Sequence, residues 1–325
     1  MSHEIYINLR GKASMAYVED EPWHGLGQKL TQGASIETWT KEAGMDYTIF
    51  DTPVLFNGSD SKKHVHPTQK VLYRNDTMDP LGIVGNKYQV VQPGEVLEFF
   101  RDLVATGGYE LHTAGVLFNG AKYWALARTG HTGRIGGKSS KDNMEGYLLL
   151  ATSCDGTLQT TAQFTSIRVV CNNTLTASLL NPKDKIGAIK VSHRSTFDSK
   201  EVKTKLGLDD GWKAFVEQAN VLSKIKVNEA KAQEFVLKLM GDAEKEAEKE
   251  LASKPITTVL QLFGGKARGA DMQSSDGTAW GLVNAVTEYV DHMAGVNQDQ
   301  RLRMGWFYDG NILKRKAFDS ALQLA

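Results

Sequence analysis

The sequence predicts an α+β fold: an antiparallel sheet with packed helices in the N-terminal two-thirds, and a helical C-terminal third. Two observations carry this. From residue 46 to about 171, short runs of alternating apolar and polar residues are separated by turn signals, with one amphipathic helix among them. After about Ser195 the apolar period becomes helical, as in WKAFV (212–216) and FVLKLM (235–240). The expected organisation is an irregular segment 1–45, an α+β core 46–195 with a central antiparallel sheet, and a helical region 196–325 packing on that core.

Taken in order, Ser35 is placed to cap a short helix to Ala43, with Glu37 in its first turn. Three strand runs follow in residues 46–92, with turns at Asn57–Ser61 and Asn75–Pro80. Pro93 suits the first position of a helix that Gly107-Gly108 stops. Asn119-Gly120 marks a β-hairpin. The Gly/Ser/Lys-rich stretch 130–146 reads as an excursion before the strand YLLLATS (147–153), and the strand TTAQFTSIRVV (160–170) comes next. The polar step Asn172-Asn173-Thr174 is placed to cap a helix LTASLL (175–180), and 255–277 reads as a loop-rich break. A helix from Thr278 and a terminal one from Asn311 complete the pattern.

Hydrophobic and charged shares of 41% and 23% are ordinary for a globular chain. No apolar run reaches the roughly 18 residues of a membrane span, and the N-terminus lacks the apolar core of a secretory signal. Two cysteines, Cys154 and Cys171, imply no disulfide framework and suit a reducing compartment. Lys+Arg 38 balance Asp+Glu 38, so any field for an anionic partner must come from local segregation. Such segregation exists. Residues 121–144 hold five basic side chains against the single acid Asp142, and 183–205 hold seven against three. The acids gather later, in GDAEKEAEKE (241–250).

The string GRIGGKSS (133–140) fails as a phosphate loop: Thr132 stands where glycine is needed, and a strand follows instead of a helix. His64 and His66 share a strand face, but no third ligand completes a metal set. Neither cysteine has a histidine base nearby, so both read as small buried residues. Glu288, Asp291 and His292 lie within one helical turn and read as a solvated edge. The sequence therefore offers no catalytic residues, no metal site and no cofactor, and favours binding over catalysis. Aromatics interleave with cations at Lys87-Tyr88, at Phe164 and at Lys122-Tyr123-Trp124, a pattern that suits single strands, where cations track phosphates and rings stack bases. Strand alternation predicts that one of Tyr123 and Trp124 faces outward. Arg168, set among Ile167, Val169 and Val170, needs an anionic partner or a route to solvent.

WHGLG (23–27), YQVVQPGEVLEFF (88–100), LLLATSCDG (148–156), IRVVCNNTL (167–175) and TAWGLVNAVTEYVDH (278–292) together resemble the phage/plasmid-like protein family, a domain of unknown function from phages, prophages and plasmids. Cys154 stands where the resemblance leads one to expect histidine, and Asn172 where it leads one to expect glutamine. The order of elements is also similar to that of single-strand annealing proteins, which form rings or filaments around a basic channel. These resemblances imply a protein of the host cytoplasm, without a membrane partner, that binds single-stranded nucleic acid as a homo-oligomer in phage DNA recombination or replication. The expected contacts are Lys122, Arg128, Arg134, Lys138, Lys141 and Arg168 to phosphates, Tyr123 or Trp124 to bases, and Asn172 and Asn173 as neutral hydrogen-bonding groups. Two alternatives remain: a metal-dependent hydrolase or nuclease using Asp155 with His64/His66 or the Glu288/His292 edge, and a host-directed anti-defence protein that binds a small anionic signal.

Overall fold

The computed structural model describes residues 5–8, 10–19, 21–22, 25–168, 173–175, 188–206, 208–242, 246–295 and 309–324. The fold is α+β, with helices and largely antiparallel sheets. The chain forms two compact units, each discontinuous in sequence. Unit 1 comprises 1–130, 148–163 and 188–206, and unit 2 comprises 131–147, 164–187 and 207–325.

In unit 1, β1 (Met15–Tyr17) and β2 (Gln28–Lys29) pair in parallel, and β1 pairs antiparallel with β6 (Glu110–Leu117). The hydrogen-bonded order continues through β7 (Lys122–Ile135), β8 (Asp142–Ser153), β9 (Thr160–Arg168) and β11 (Ala188–Val191). Helices α1 (Ile36–Glu42) and α2 (Pro93–Thr106) pack on each other, and α2 packs on β6. Their ends follow the sequence signals: Ser35 Oγ accepts from Thr38 N (3.2 Å), and Glu95 accepts from Gln92 N (2.6 Å). The expected hairpin forms, with Phe118 and Asn119 in the left-handed region of its turn.

A second sheet of unit 1 runs β3 (Ile49–Asn57), β4 (Lys63–Arg74), β5 (Pro80–Gly85). Its inner face buries Leu72 and Val84, while Phe50 and Ile83 stand exposed on the outer face with Tyr73 and Val71. Beyond this base, β3 and β4 continue as a two-stranded ribbon that is largely exposed on both faces. Gln92 roots it by exchanging hydrogen bonds with both backbone groups of Ile49 (2.9 and 3.0 Å).

Unit 2 contains the ends of β7, β8 and β9 next to β10 (Asn173–Leu175), and the helices α4 (Leu208–Leu222), α5 (Glu229–Met240), α6 (Ala247–Leu251), α7 (Lys254–Gln261), α8 (Ala279–Glu288) and α9 (Asp309–Leu322). α3 (Ser199–Leu206) belongs to unit 1. The core of unit 2 sets Phe164 edge-on to Trp212, Trp212 tilted against Phe215, and Phe215 stacked on Phe318, with Ile135, Met144 and Trp280 beside them. Asp142 is fully buried among them, and its Oδ2 accepts from Ser274 Oγ (2.6 Å) and Trp280 Nε1 (3.0 Å). A buried carboxylate survives only when bonded in this way.

Three expectations change. The glycine-rich stretch 130–146 is largely strand, because Gly133 lets α4 lie close: a Cβ there would meet Val216 Cγ2 at 2.5 Å. The Asn173–Leu175 step is β10, paired with β9, not the start of a helix, and 176–180 lie outside the described residues. The 255–277 break begins with α7, since Pro255 sits in a first turn where no donor is missed. No helix among the described residues is long and apolar enough to cross a membrane.

Gly281 gives the fold a sharp test. A Cβ at this buried position in α8 would overlap the Ser275 carbonyl oxygen. Gly281→Ala should lower unfolding free energy by roughly 1–3 kcal/mol in urea titration; an unchanged midpoint would contradict the close approach.

Candidate functional site

Unit 2 holds a groove of about 680 Å³ lined by Thr132, Gly133, Arg134, Gly137, Lys138, Asn143, Met144, Glu145 and Asn220. It lies at the β7–β8 turn, which Gly136 (φ 91°) and Gly137 (φ 97°) make possible. Asn220 on α4 holds the turn in place: its Oδ1 accepts from Gly136 N (2.9 Å), and its Nδ2 donates to the carbonyls of Arg134 (3.1 Å) and Val216 (2.9 Å). The exposed Arg134 guanidinium reaches back to the Lys138 carbonyl and to Asn143 Oδ1 (3.4 Å). Lys138 and Lys141 are exposed and have no ion-pair partner among the described residues. Glu145, the one carboxylate among the described lining residues, accepts from Tyr147 Oη (2.9 Å). Arg134 and Lys138 thus line one groove on a turn that Asn220 holds, and their cationic groups suit phosphate or carboxylate oxygens.

The remaining expected contacts lie elsewhere. Lys122, Tyr123 and Trp124 are in the core of unit 1, so neither ring is a stacking face. Tyr123 is 1% exposed and Trp124 5%: this stretch of β7 is covered on both faces, and alternation does not expose one of them. Tyr123 Oη donates to the Val91 carbonyl, and the Trp124 ring occupies the space that Gly115 leaves open. Lys122 Nζ bonds Asp155 Oδ2 at 2.6 Å and lies 4.6 Å from the Phe118 ring centroid. Arg128 grips Glu19 with both terminal nitrogens (2.9 and 2.6 Å), which holds the Glu19 carboxyl below its usual range. Phe164 is core, and Tyr88 stacks on His193 (4.3 Å) while donating to the Ser153 carbonyl. Arg168 and Asn173 face each other across the β9–β10 ladder; their side chains, and all of Asn172 and Cys171, lie outside the described residues.

Burial, reinforced by the charge of Asp155, pushes the Cys154 thiol up to about 12, so it is not a nucleophile at neutral pH. His64 bonds Asp60 (2.9 and 3.1 Å), and His66 Nδ1 accepts from Thr68 N (3.4 Å). No group of three His, Cys, Asp or Glu able to hold a metal occurs among the described residues. The Glu288–His292 segment is not the expected solvated edge. Glu288 is buried and accepts from Arg268 N (3.1 Å), and Asp291 pairs with the buried Lys314 (2.7 Å) where α8 loosens into a π turn, Tyr289–Met293. Lys314 and Asn220 both come from the helical third, and no local spacing signals either role.

Asp155 supplies a pH test. Burial opposes its ionisation, but the Lys122 and Thr157 hydrogen bonds prevail and hold its carboxyl below the ordinary range. Its stabilising contribution is therefore complete above the unfolded value of about 4 and is lost as pH falls through the lowered folded value. Lys122→Met should cost about 3 kcal/mol at pH 7, with the gap to the parent narrowing below pH 4 in melting curves; a gap independent of pH would remove the pair as its cause. In a Cys171→Ser background, Cys154 should resist thiol reagents at pH 8 until denaturant is added, as followed by absorbance.

No curated protein and no solved structure matches the chain. A family model does match, over residues 80–306, which include the β7–β8 turn and the groove. That span exceeds half of the 325 residues, and the chain belongs to the family described as Domain of unknown function (DUF932).

Proposed function

We propose that the protein binds single-stranded nucleic acid, seating backbone phosphates in the groove at the β7–β8 turn. The observation that supports this is that Arg134 and Lys138 line one groove in which Glu145 is the single carboxylate among the described lining residues. Lys141, exposed on the same turn, adds positive charge there. Backbone contacts of this kind carry affinity without sequence preference. In this reading the protein acts as a homo-oligomer in the recombination or replication of phage or other mobile DNA, in the host cytoplasm, and strand annealing is the step it serves.

The groove volume favours a second reading. About 680 Å³ falls in the range of small-ligand sites. An anti-defence protein that sequesters a nucleotide signal would use the same cations.

Fluorescence anisotropy with a labelled oligothymidine across a salt series separates the two. Submicromolar binding that weakens with salt is expected, with a log–log slope of about −0.7 per phosphate neutralised. Arg134→Ala with Lys138→Ala should flatten that slope by about 1.4 and leave the melting temperature unchanged. Tight stoichiometric binding of a mononucleotide or dinucleotide in calorimetry, without oligonucleotide affinity, would replace the first reading by the second. No binding to either would overturn both.

A further inference from the structure

We infer that the β3–β4 ribbon of unit 1 is itself a single-strand binding site, stacking bases on Phe56 and meeting phosphates with Lys62 and Lys63. The inference rests on the single-strand reading above and adds a site to it.

The ribbon exposes more apolar surface than its own stability needs. Leu55 is 56% exposed, Phe56 50% and Val65 58%, near a tip where little is buried on either face. Exposed apolar side chains grouped in this way mark a contact surface. Cross-strand register places Phe56 opposite His64 and Leu55 opposite Val65, so the two pairs point to opposite faces. The Phe56 and His64 rings stack at 5.5 Å with 27° between planes, and Asp60 holds the imidazole through its Nε2 (2.9 Å). An aromatic platform already ordered in this way loses little freedom when a base stacks on it.

Charge selects the partner. The acids of the ribbon are occupied: Asp60 by His64 and Asp51 by Lys70 (2.8 Å). Lys62 and Lys63 follow Asp60 at the tip, both exposed and without an ion-pair partner among the described residues. By strand alternation Lys62 shares the Phe56/His64 face and Lys63 the Leu55/Val65 face, so an unpaired strand crossing the tip stacks on Phe56 and meets a cation on each side. A protein partner adding a strand at the β3 edge fits less well, because Pro53 removes a donor there and the register shifts between Pro53 and Leu55.

The test uses the full chain and the same labelled oligothymidine. Phe56→Ala should weaken binding roughly tenfold, and Phe56→Trp should restore it. Lys62→Ala with Lys63→Ala should reduce the salt slope by about 1.4. None of these exposed positions should shift the melting temperature, so a loss of binding is not a loss of fold. Parent-like affinity in both the Phe56→Ala and the double-lysine variants, with the parent binding, overturns this inference and leaves the groove reading intact. Absence of binding by the parent overturns both. A change of oligomeric state in light scattering on Phe56→Ala, with affinity unaltered, would make the ribbon a contact between copies and overturn its role here.

Discussion

Arg74 is the residue on which the organisation of unit 1 turns. Its guanidinium lies between the rings of Tyr47 (3.8 Å) and Tyr6 (4.6 Å), bonds Asp76 through two nitrogens (2.8 and 2.6 Å), and donates to the Asn119 carbonyl (3.1 Å). Burial works against the charge, but the Asp76 hydrogen bonds and the surrounding groups outweigh it and raise the pKa. One side chain thereby joins the end of β4, the N-terminal segment and the β6–β7 turn. Gly120 is needed because a Cβ would press on Arg74 Cδ at 2.9 Å, and Tyr47 Oη closes the arrangement on the Gly120 carbonyl (2.9 Å). The ribbon stands on this root, and a lysine would not replace it: only a planar guanidinium stacks between two rings while bonding in its own plane.

The cations of this chain divide by partner. Several strand cations are used internally: Arg74 by Asp76, Lys122 by Asp155, Arg128 by Glu19 and Lys70 by Asp51. Others, at or near strand ends and turns, are exposed: Lys62 and Lys63 on the ribbon, and Arg134, Lys138 and Lys141 around the β7–β8 turn. A chain with zero formal charge can therefore still present positive surface, because its acids are spent next to its strand cations and on its helices.

Much of the fold was legible because its signals are local. Ser35, Pro93 and Thr278 start helices where capping chemistry places them, and Asn119-Gly120 turns the chain between β6 and β7. The failures have a shared cause: partners distant in sequence. Glycines in β7 suggest a loop until Trp212 and Val216 are known to lie over Gly133, and the Lys122-Tyr123-Trp124 pattern suggests an open face until Asp155 and Val91 are found against it. Of the candidate contacts, Arg134 and Lys138 were readable as a basic tip, whereas Asn220, which holds that tip, was not. The exposed Phe56 was plainly visible, but a strand pattern alone does not say which aromatic stays outside the core.

The interleaving of the two units in sequence has a consequence for biosynthesis. Unit 1 needs residues up to 206, and unit 2 needs residues from 131 to the C-terminal helix. As the chain leaves the ribosome, unit 1 can close once Leu206 emerges, while 131–147 and 164–187 still await the helices that belong with them. Until α4 arrives, Ile135, Met144 and Phe164 have lost their ribosomal cover without gaining a core. That interval exposes strand edges and apolar side chains together, the state in which nascent chains aggregate and chaperones bind.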